Sequence, residues 1–267
     1  MSGEVLRRVV AARKKSLIAW TISLIALMAL MVVAYPAVAD QDVFAEMMED
    51  YPEFVEQIMG LGSGLSITSP AGYLNSQVFA NMLPLLIIIF VIGLATKETA
   101  GEERDGTLDL LLAHPVTRSR VVIEKSTAML ATGLWLGVVS AITLIALGPL
   151  VDLDIGLSAY VGATLSSVAA GWVFGALALA LGAATGSRAV AIGGASGAAV
   201  VFYVLWGLAP LIDALEFTNT FNPWYWVMAG DPILHGIQGA NLLLLAGITG
   251  VLVAIAVWGL RRRDLGV

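Results

Sequence analysis

Asn75-Ser76-Gln77-Val78-Phe79-Ala80-Asn81-Met82-Leu83-Pro84-Leu85-Leu86-Ile87-Ile88-Ile89-Phe90-Val91-Ile92-Gly93-Leu94-Ala95-Thr96 contains no charged side chain. The run is apolar on every helical face, which suits lipid as solvent rather than one buried stripe. The hydrocarbon core of a bilayer is about 30 Å thick and a helix rises about 1.5 Å per residue, so a crossing takes roughly 20 such residues. Further runs meet that requirement, and the expected spans are 17–39, 75–96, 126–150, 158–185, 189–213 and 240–260. Within them only Asp213, at the end of the fifth, carries a charge. A β-barrel would instead show segments of about ten residues alternating apolar and polar. The fold expected is all-α, a single polytopic membrane domain over residues 1–267 with six transmembrane helices. Composition agrees: 58% hydrophobic residues, 13% charged residues and a mean hydropathy of +0.88 exceed what one water-soluble core of this size would bury.

Orientation follows from the cations, since Lys and Arg near span ends are retained on the cytoplasmic side. Arg7, Arg8, Arg13, Lys14 and Lys15 precede the first span, while Lys97, Arg104, Arg118, Arg120 and Lys125 lie between the second and third. Arg188 separates the fourth and fifth, and Arg261, Arg262 and Arg263 follow the sixth. All 14 cations therefore fall on one side with 8 acids, and the other side holds 12 acids and no cation. The expectation is a cell-membrane protein with both termini in the cytoplasm and an acidic outer face. The net charge of −6 conceals that asymmetry.

At the N-terminus a basic stretch, an apolar run and Ala37-Val38-Ala39 resemble a secretory signal. The run from Leu17 to Ala39 exceeds the 7 to 15 residues of a signal's apolar region, so it is read as a retained span. Residues 1–16 form a cytoplasmic segment, with 3–15 expected as an amphipathic helix whose basic side chains meet anionic headgroups. The chain has no Cys, hence no disulfide and no thiolate metal site. His114 and His235 fall on opposite sides of the membrane and cannot share a metal. No metal ligand set is expected.

Small residues carry a second layer of information, because helices in lipid associate through close backbone approach. The pairs Gly133 and Gly137, Gly171 and Gly175, Gly182 and Gly186, and Gly193 and Gly197 indicate a tightly packed bundle, with a subunit interface as a second use for one of them. Pro84 is expected to kink the second span. The interior lacks the acids, bases and His that proton relays and voltage sensors use at depth, so a pump driven by its own intramembrane relay is disfavoured. Energy for transport would come from a soluble partner.

The catalytic motifs the chain approaches are incomplete. Gly194-Ala195-Ser196-Gly197 resembles the nucleophile segment of rhomboid-type proteases, yet the sixth span has no His to take the serine proton. There is no HExxH and no GxxxxGK[ST]. Gly60-Leu61-Gly62-Ser63-Gly64 lacks dinucleotide spacing and is expected as a flexible loop tip within the acidic outer loop 40–73. In that loop an amphipathic helix over 43–58 is expected to pack Phe44, Met47, Met48, Tyr51 and Phe54.

The inner loop 97–125 is the most informative segment: Lys97-Glu98-Thr99-Ala100-Gly101-Glu102-Glu103-Arg104-Asp105-Gly106-Thr107-Leu108-Asp109-Leu110-Leu111-Leu112-Ala113-His114-Pro115-Val116-Thr117-Arg118-Ser119-Arg120. It reads as a charged turn, a freeing glycine at Gly106, and a short helix opened by Thr107 as N-cap and ended by Pro115. Leu108, Leu111 and Leu112 share one face, too short to span and too apolar to lie in water. That face either docks on the chain's own inner surface or headgroups, or enters a groove on a cytoplasmic partner.

This loop resembles the segment of type-2 ABC transporter permeases that reads roughly GEE-x-x-GTL-x-LLL-x-x-PV-x-R with a Lys further on. Gly101, Glu102, Glu103, Gly106, Thr107, Leu108, Leu110, Leu111, Leu112, Pro115, Val116, Arg118 and Lys125 supply the match. Thr68-Ser69-Pro70-Ala71-Gly72-Tyr73-Leu74, Leu83-Pro84-Leu85 and Asn222-Pro223-Trp224 extend it over nearly the whole chain. The nearest branch includes six-span permeases of multi-copper-enzyme maturation and of drug or peptide export. The resemblance implies an ATP-driven exporter subunit with no cofactor in this chain. It implies ATP and Mg on separately encoded ATP-binding subunits, a second copy or homologous permease as partner, and no nucleic acid. It implies a coupling helix docking into the ATPase through Leu108, Leu111 and Leu112, with Glu102, Glu103, Arg104 and Arg118 around it. Gly186, Ser187 and Arg188 would make a smaller second contact. The competing readings are a secondary carrier that needs no ATPase and a non-transporting assembly factor or anchor; the charge-free spans suit an amphipathic or apolar cargo.

Overall fold

The computed structural model describes residues 4–39, 52–61, 64–101 and 117–263. Among them the chain is helical, with six helices long and apolar enough to cross a membrane. The first helix, Glu4–Ala39, runs 36 residues without a break. At about 1.5 Å per residue it is longer than the bilayer core is thick, so the basic N-terminal segment continues the span instead of forming a separate helix on the surface.

The second span departs most from expectation. It begins at Pro70–Leu74 with the Ser69 hydroxyl accepting the Gly72 N–H at 3.1 Å, and passes through a π-helical turn at Asn75–Phe79. The helix is interrupted at Ala80 and Asn81 and restarts as Met82–Thr96. Pro84 thus falls in the first turn of the restarted helix, where a missing N–H costs little. The expected mid-span kink is a break placed just before the proline. A second π-helical turn, Lys97–Gly101, ends the span.

The third span is one helix from Arg118 to Leu147, starting eight residues earlier than the expected 126. Thr117 stands outside the helix and its hydroxyl accepts the Arg120 N–H at 3.4 Å, the ordinary cap chemistry of a threonine at that position. The fourth, fifth and sixth spans are Leu157–Thr185, Arg188–Leu208 and Gly239–Arg262, close to expectation. Asp213 lies beyond the fifth helix, in the 3-10 stretch Asp213–Phe221, so no acid remains within that span.

The fourth helix is the hub, packing against the second, third, fifth and sixth, while the first packs chiefly on the third. Its central window is 72% buried, against 17% for the first span and 22% for each of the fifth and sixth. Small residues permit this. A Cβ on Gly171 would collide with Ile87, and one on Gly175 would come within 2.8 Å of the Met129 sulfur and 3.0 Å of Val91. A Cβ on Gly137 would strike Val168. These pairs therefore close the bundle internally. Gly193 and Gly197 differ: a Cβ at either would touch nothing, and both are exposed on the fifth helix. Large apolar side chains such as Ile22, Ile89, Ile142, Leu243 and Val251 face outward, as lipid solvation allows.

The two ends of the bundle differ in charge. One end gathers Arg13, Lys125, Arg118, Arg188 and Arg263, and the other holds Asp152, Asp154, Glu216 and Asp231. At the acidic end the chain folds back into the bundle. Asn222 caps the helix Pro223–Met228, its carboxamide oxygen accepting the Trp224 N–H at 3.0 Å and its nitrogen donating to the Phe202 carbonyl at 2.9 Å. Trp224 is fully buried and donates to the Ala199 carbonyl at 3.0 Å. Ala199 lies nine residues before Leu208, so the indole penetrates about 14 Å below the helix end. Helix Glu53–Ile58 is shorter than the expected 43–58: Pro52, extended at ψ 147, stands outside as its N-cap, so no single helix runs through that position. Phe44, Met47, Met48 and Tyr51 lie outside the described residues. Gly60 is buried with φ +73, and a Cβ there would press on Ala80, so it is a packed turn and not a flexible loop tip.

Candidate functional site

Of the expected docking residues, Glu102, Glu103, Arg104, Gly106, Thr107, Leu108, Leu111, Leu112 and Pro115 lie outside the described residues. What the structure does describe is how the chain enters and leaves that segment, and how the turn at Gly186, Ser187 and Arg188 is placed relative to the exit at Arg118.

The entry is the π-helical turn Lys97–Gly101. Glu98 within it is only 3% exposed, and an uncompensated carboxylate at that depth would cost several kcal/mol. Arg13 supplies the charge: its Nε and Nη2 both reach Glu98 Oε1 at 2.9 Å. Lys125, equally buried on the third span, donates its ammonium to the Glu98 backbone carbonyl. Thr99 packs where Gly182 leaves room on the fourth span, and its hydroxyl donates back to the Ala95 carbonyl at 2.8 Å. The crevice among Glu98, Val122, Lys125, Gly182 and Leu260 measures about 10 Å³, room for one water at most. The entry to the loop is thus a closely packed joint among the first, second, third and fourth spans.

The exit is fastened to the sixth span. Arg118 Nη1 donates to the carbonyls of Leu260 at 3.2 Å and Arg263 at 2.6 Å, acceptors that a helix C-terminus leaves unpaired. Its guanidinium is engaged within the chain. Arg263 in turn lies against Gly186 and donates through Nη1 to the Ala183 carbonyl at 3.5 Å. Gly186 ends the fourth helix in the left-handed conformation, φ +65, with its N–H on the Gly182 carbonyl at 2.9 Å. The Ser187 hydroxyl then caps the fifth helix by accepting the Val190 N–H at 3.3 Å. Arg188 Nε is buried with no hydrogen-bond partner among the described residues. Arg263 therefore joins Arg118, at the loop exit, to the 186–188 turn.

Sequence reasoning singled out Arg118 and the 186–188 turn but not the ties that join them. Nothing in the spacing of Glu98, Arg13 and Arg263 shows that a glycine-lined hub brings them together. The same holds for Asn81 at the opposite end, which donates to the Ile58 carbonyl at 2.8 Å and accepts the Tyr203 hydroxyl at 2.6 Å. A polar residue inside an otherwise apolar run was the available signal.

A family model described as ABC-2 family transporter protein matches residues 11–265, and the chain belongs to that family. No curated protein matches the chain in a search of such sequences. The family is a non-catalytic membrane permease, so this chain is a permease of an ABC transporter; membership implies ATPase partner subunits and indicates no cofactor site here.

Proposed function

We propose that this chain is the membrane half of a six-span exporter, working as a pair with a second copy or a homologous permease and driven by ATP-binding subunits that dock on its basic, cytoplasmic end. Nucleotide and Mg belong to those subunits. Leu108, Leu111 and Leu112 form the apolar docking face, with Glu102, Glu103, Arg104 and Arg118 around it. The turn at Gly186, Ser187 and Arg188 is the second contact.

The observation that carries the proposal is the fastening of the loop at both ends. Glu98 binds Arg13 of the first span and Lys125 of the third, while Arg118 binds the end of the sixth. A displacement applied to residues 102–116 therefore acts on four helices at once rather than being absorbed in a slack linker. The central stretches of the spans carry no charge, in agreement with energy delivered from outside the membrane domain. Of the two ends, the one holding the 14 cations is the cytoplasmic one by the retention of Lys and Arg, and the export direction and the branch of six-span permeases follow the sequence resemblance.

The test is co-expression with candidate ATP-binding subunits, purification through a tag on the permease, and vanadate-sensitive ATPase assay for the native chain and Leu111→Asp. Copurification that the variant loses while still reaching the membrane supports the docking face. An ATPase that binds Leu111→Asp equally well overturns it, and the absence of any ATPase under every pairing leaves a carrier or an assembly factor as the reading to pursue.

A further inference from the structure

At the acidic end a cleft of about 170 Å³ is lined by Gln57, Asn75, Trp206, Tyr225 and Asp231, among others. It lies between helix Glu53–Ile58, the first π-helical turn, the end of the fifth span and the turn after Met228. Drug-sized ligands occupy roughly 300–1,000 Å³, so this cleft suits a small headgroup.

The lining has a defined chemistry. Asn75 is 4% exposed and donates its amide nitrogen to the Gly60 carbonyl at 2.6 Å, leaving its carboxamide oxygen with no partner among the described residues. Trp206, 2% exposed, lines the same cleft. A carboxamide oxygen that faces a cleft in this way is ordinarily satisfied by ligand or water. Asp231 is the one charged residue in the lining. Its backbone is held at φ +46 between Gly230, at φ +82, and Pro232, and its carbonyl accepts the N–H groups of Leu234 and His235 at 2.9 Å. The carboxylate sits on a turn that cannot swing freely, and no cation pairs with it among the described residues.

We propose that this cleft binds an ammonium group, as the head of a lipid or of a free small amine. The carboxylate of Asp231 supplies the opposite charge, the carboxamide oxygens of Asn75 and Gln57 are the acceptors available to an N–H donor, and the aromatic residues Trp206 and Tyr225 in the lining are of the kind that attracts cations. An anionic ligand is disfavoured by the same geometry, because every charge in the lining and at the surrounding surface is negative. The site stands at the opposite end from the ATPase-docking patch, and it is read by equilibrium binding without any ATPase.

The experiment uses the full chain in nanodiscs of phosphatidylglycerol, titrated with n-butylammonium by calorimetry, with 1-butanol as the neutral control of similar size. Binding of the amine but not the alcohol is expected, weakened about tenfold or more in Asp231→Asn, where tenfold corresponds to about 1.4 kcal/mol. Asn tolerates the left-handed backbone as Asp does, so this variant folds. Trp206→Phe keeps an aromatic face and weakens binding less than Asp231→Asn. Adding phosphatidylethanolamine distinguishes the sources: competition with n-butylammonium assigns the site to a lipid headgroup, and unchanged binding assigns it to a free amine. Equal binding of 1-butanol, unchanged affinity in Asp231→Asn, or no amine binding in any nanodisc overturns the proposal.

Discussion

Replacing Glu98 by Gln tests whether the loop entry is held by charge or merely by shape. The native carboxylate takes two N–H groups of Arg13 at 2.9 Å on one oxygen, and its side chain is 4% exposed against 23% for Arg13. At that separation an effective dielectric near 20 gives a gross attraction of about 6 kcal/mol. Desolvation of both ions removes much of it, and a charge-assisted bond of this kind is worth a net 1.5–3 kcal/mol or about 2. Gln keeps an acceptor oxygen and the volume, and it leaves the Lys125 bond untouched, because that bond uses the Glu98 backbone carbonyl. Reversible unfolding in mixed micelles titrated with SDS should show Glu98→Gln and Arg13→Gln each destabilising by about 2 kcal/mol. The double variant should cost little more than either alone, giving a coupling energy near 2 kcal/mol. Additive single effects within about 0.5 kcal/mol would refute a direct pair.

The remaining predictions address the hub, the re-entrant tryptophan and the orientation. Gly171→Val forces side-chain volume into Ile87 and is expected to destabilise by about 1–3 kcal/mol in the same titration, whereas Gly193→Ala, whose Cβ meets nothing, stays within about 0.5 kcal/mol. Trp224→Ala empties a fully buried site and should cost about 3–5 kcal/mol, with Trp224→Phe recovering most of it while still losing the bond to the Ala199 carbonyl. Because the chain has no Cys, single cysteines report topology without background. A membrane-impermeant maleimide applied to intact cells should label Glu216→Cys and spare Thr185→Cys until the membrane is opened, both positions being exposed. The reverse pattern would invert the orientation.

How much was legible beforehand depends on which physics set each feature. The fourth and sixth spans were readable to within a residue or two, because hydropathy over about 20 residues is a local property imposed by bilayer thickness. The start of the third span was missed by eight residues because Lys125 marks a water-facing end in a hydropathy reading, while in the fold it is buried against Glu98. The break at Ala80 and Asn81 was misplaced for a similar reason. Pro84 signals the interruption, but Asn81 locates it by finding partners in Ile58 and Tyr203, residues distant in sequence.

The sequence by itself determined that the chain crosses a membrane, how many times, which end is basic, and to which family it belongs, since length, hydropathy, charge and motif are all written along the chain. Tertiary structure alone decided that the fourth helix is the hub, that Trp224 re-enters the bundle, and that Glu98, Arg118 and Arg263 tie the loop ends to separate helices. Those outcomes rest on close approach at glycines and on burial that forces charges to find partners, and both are properties of surfaces brought together from distant parts of the chain.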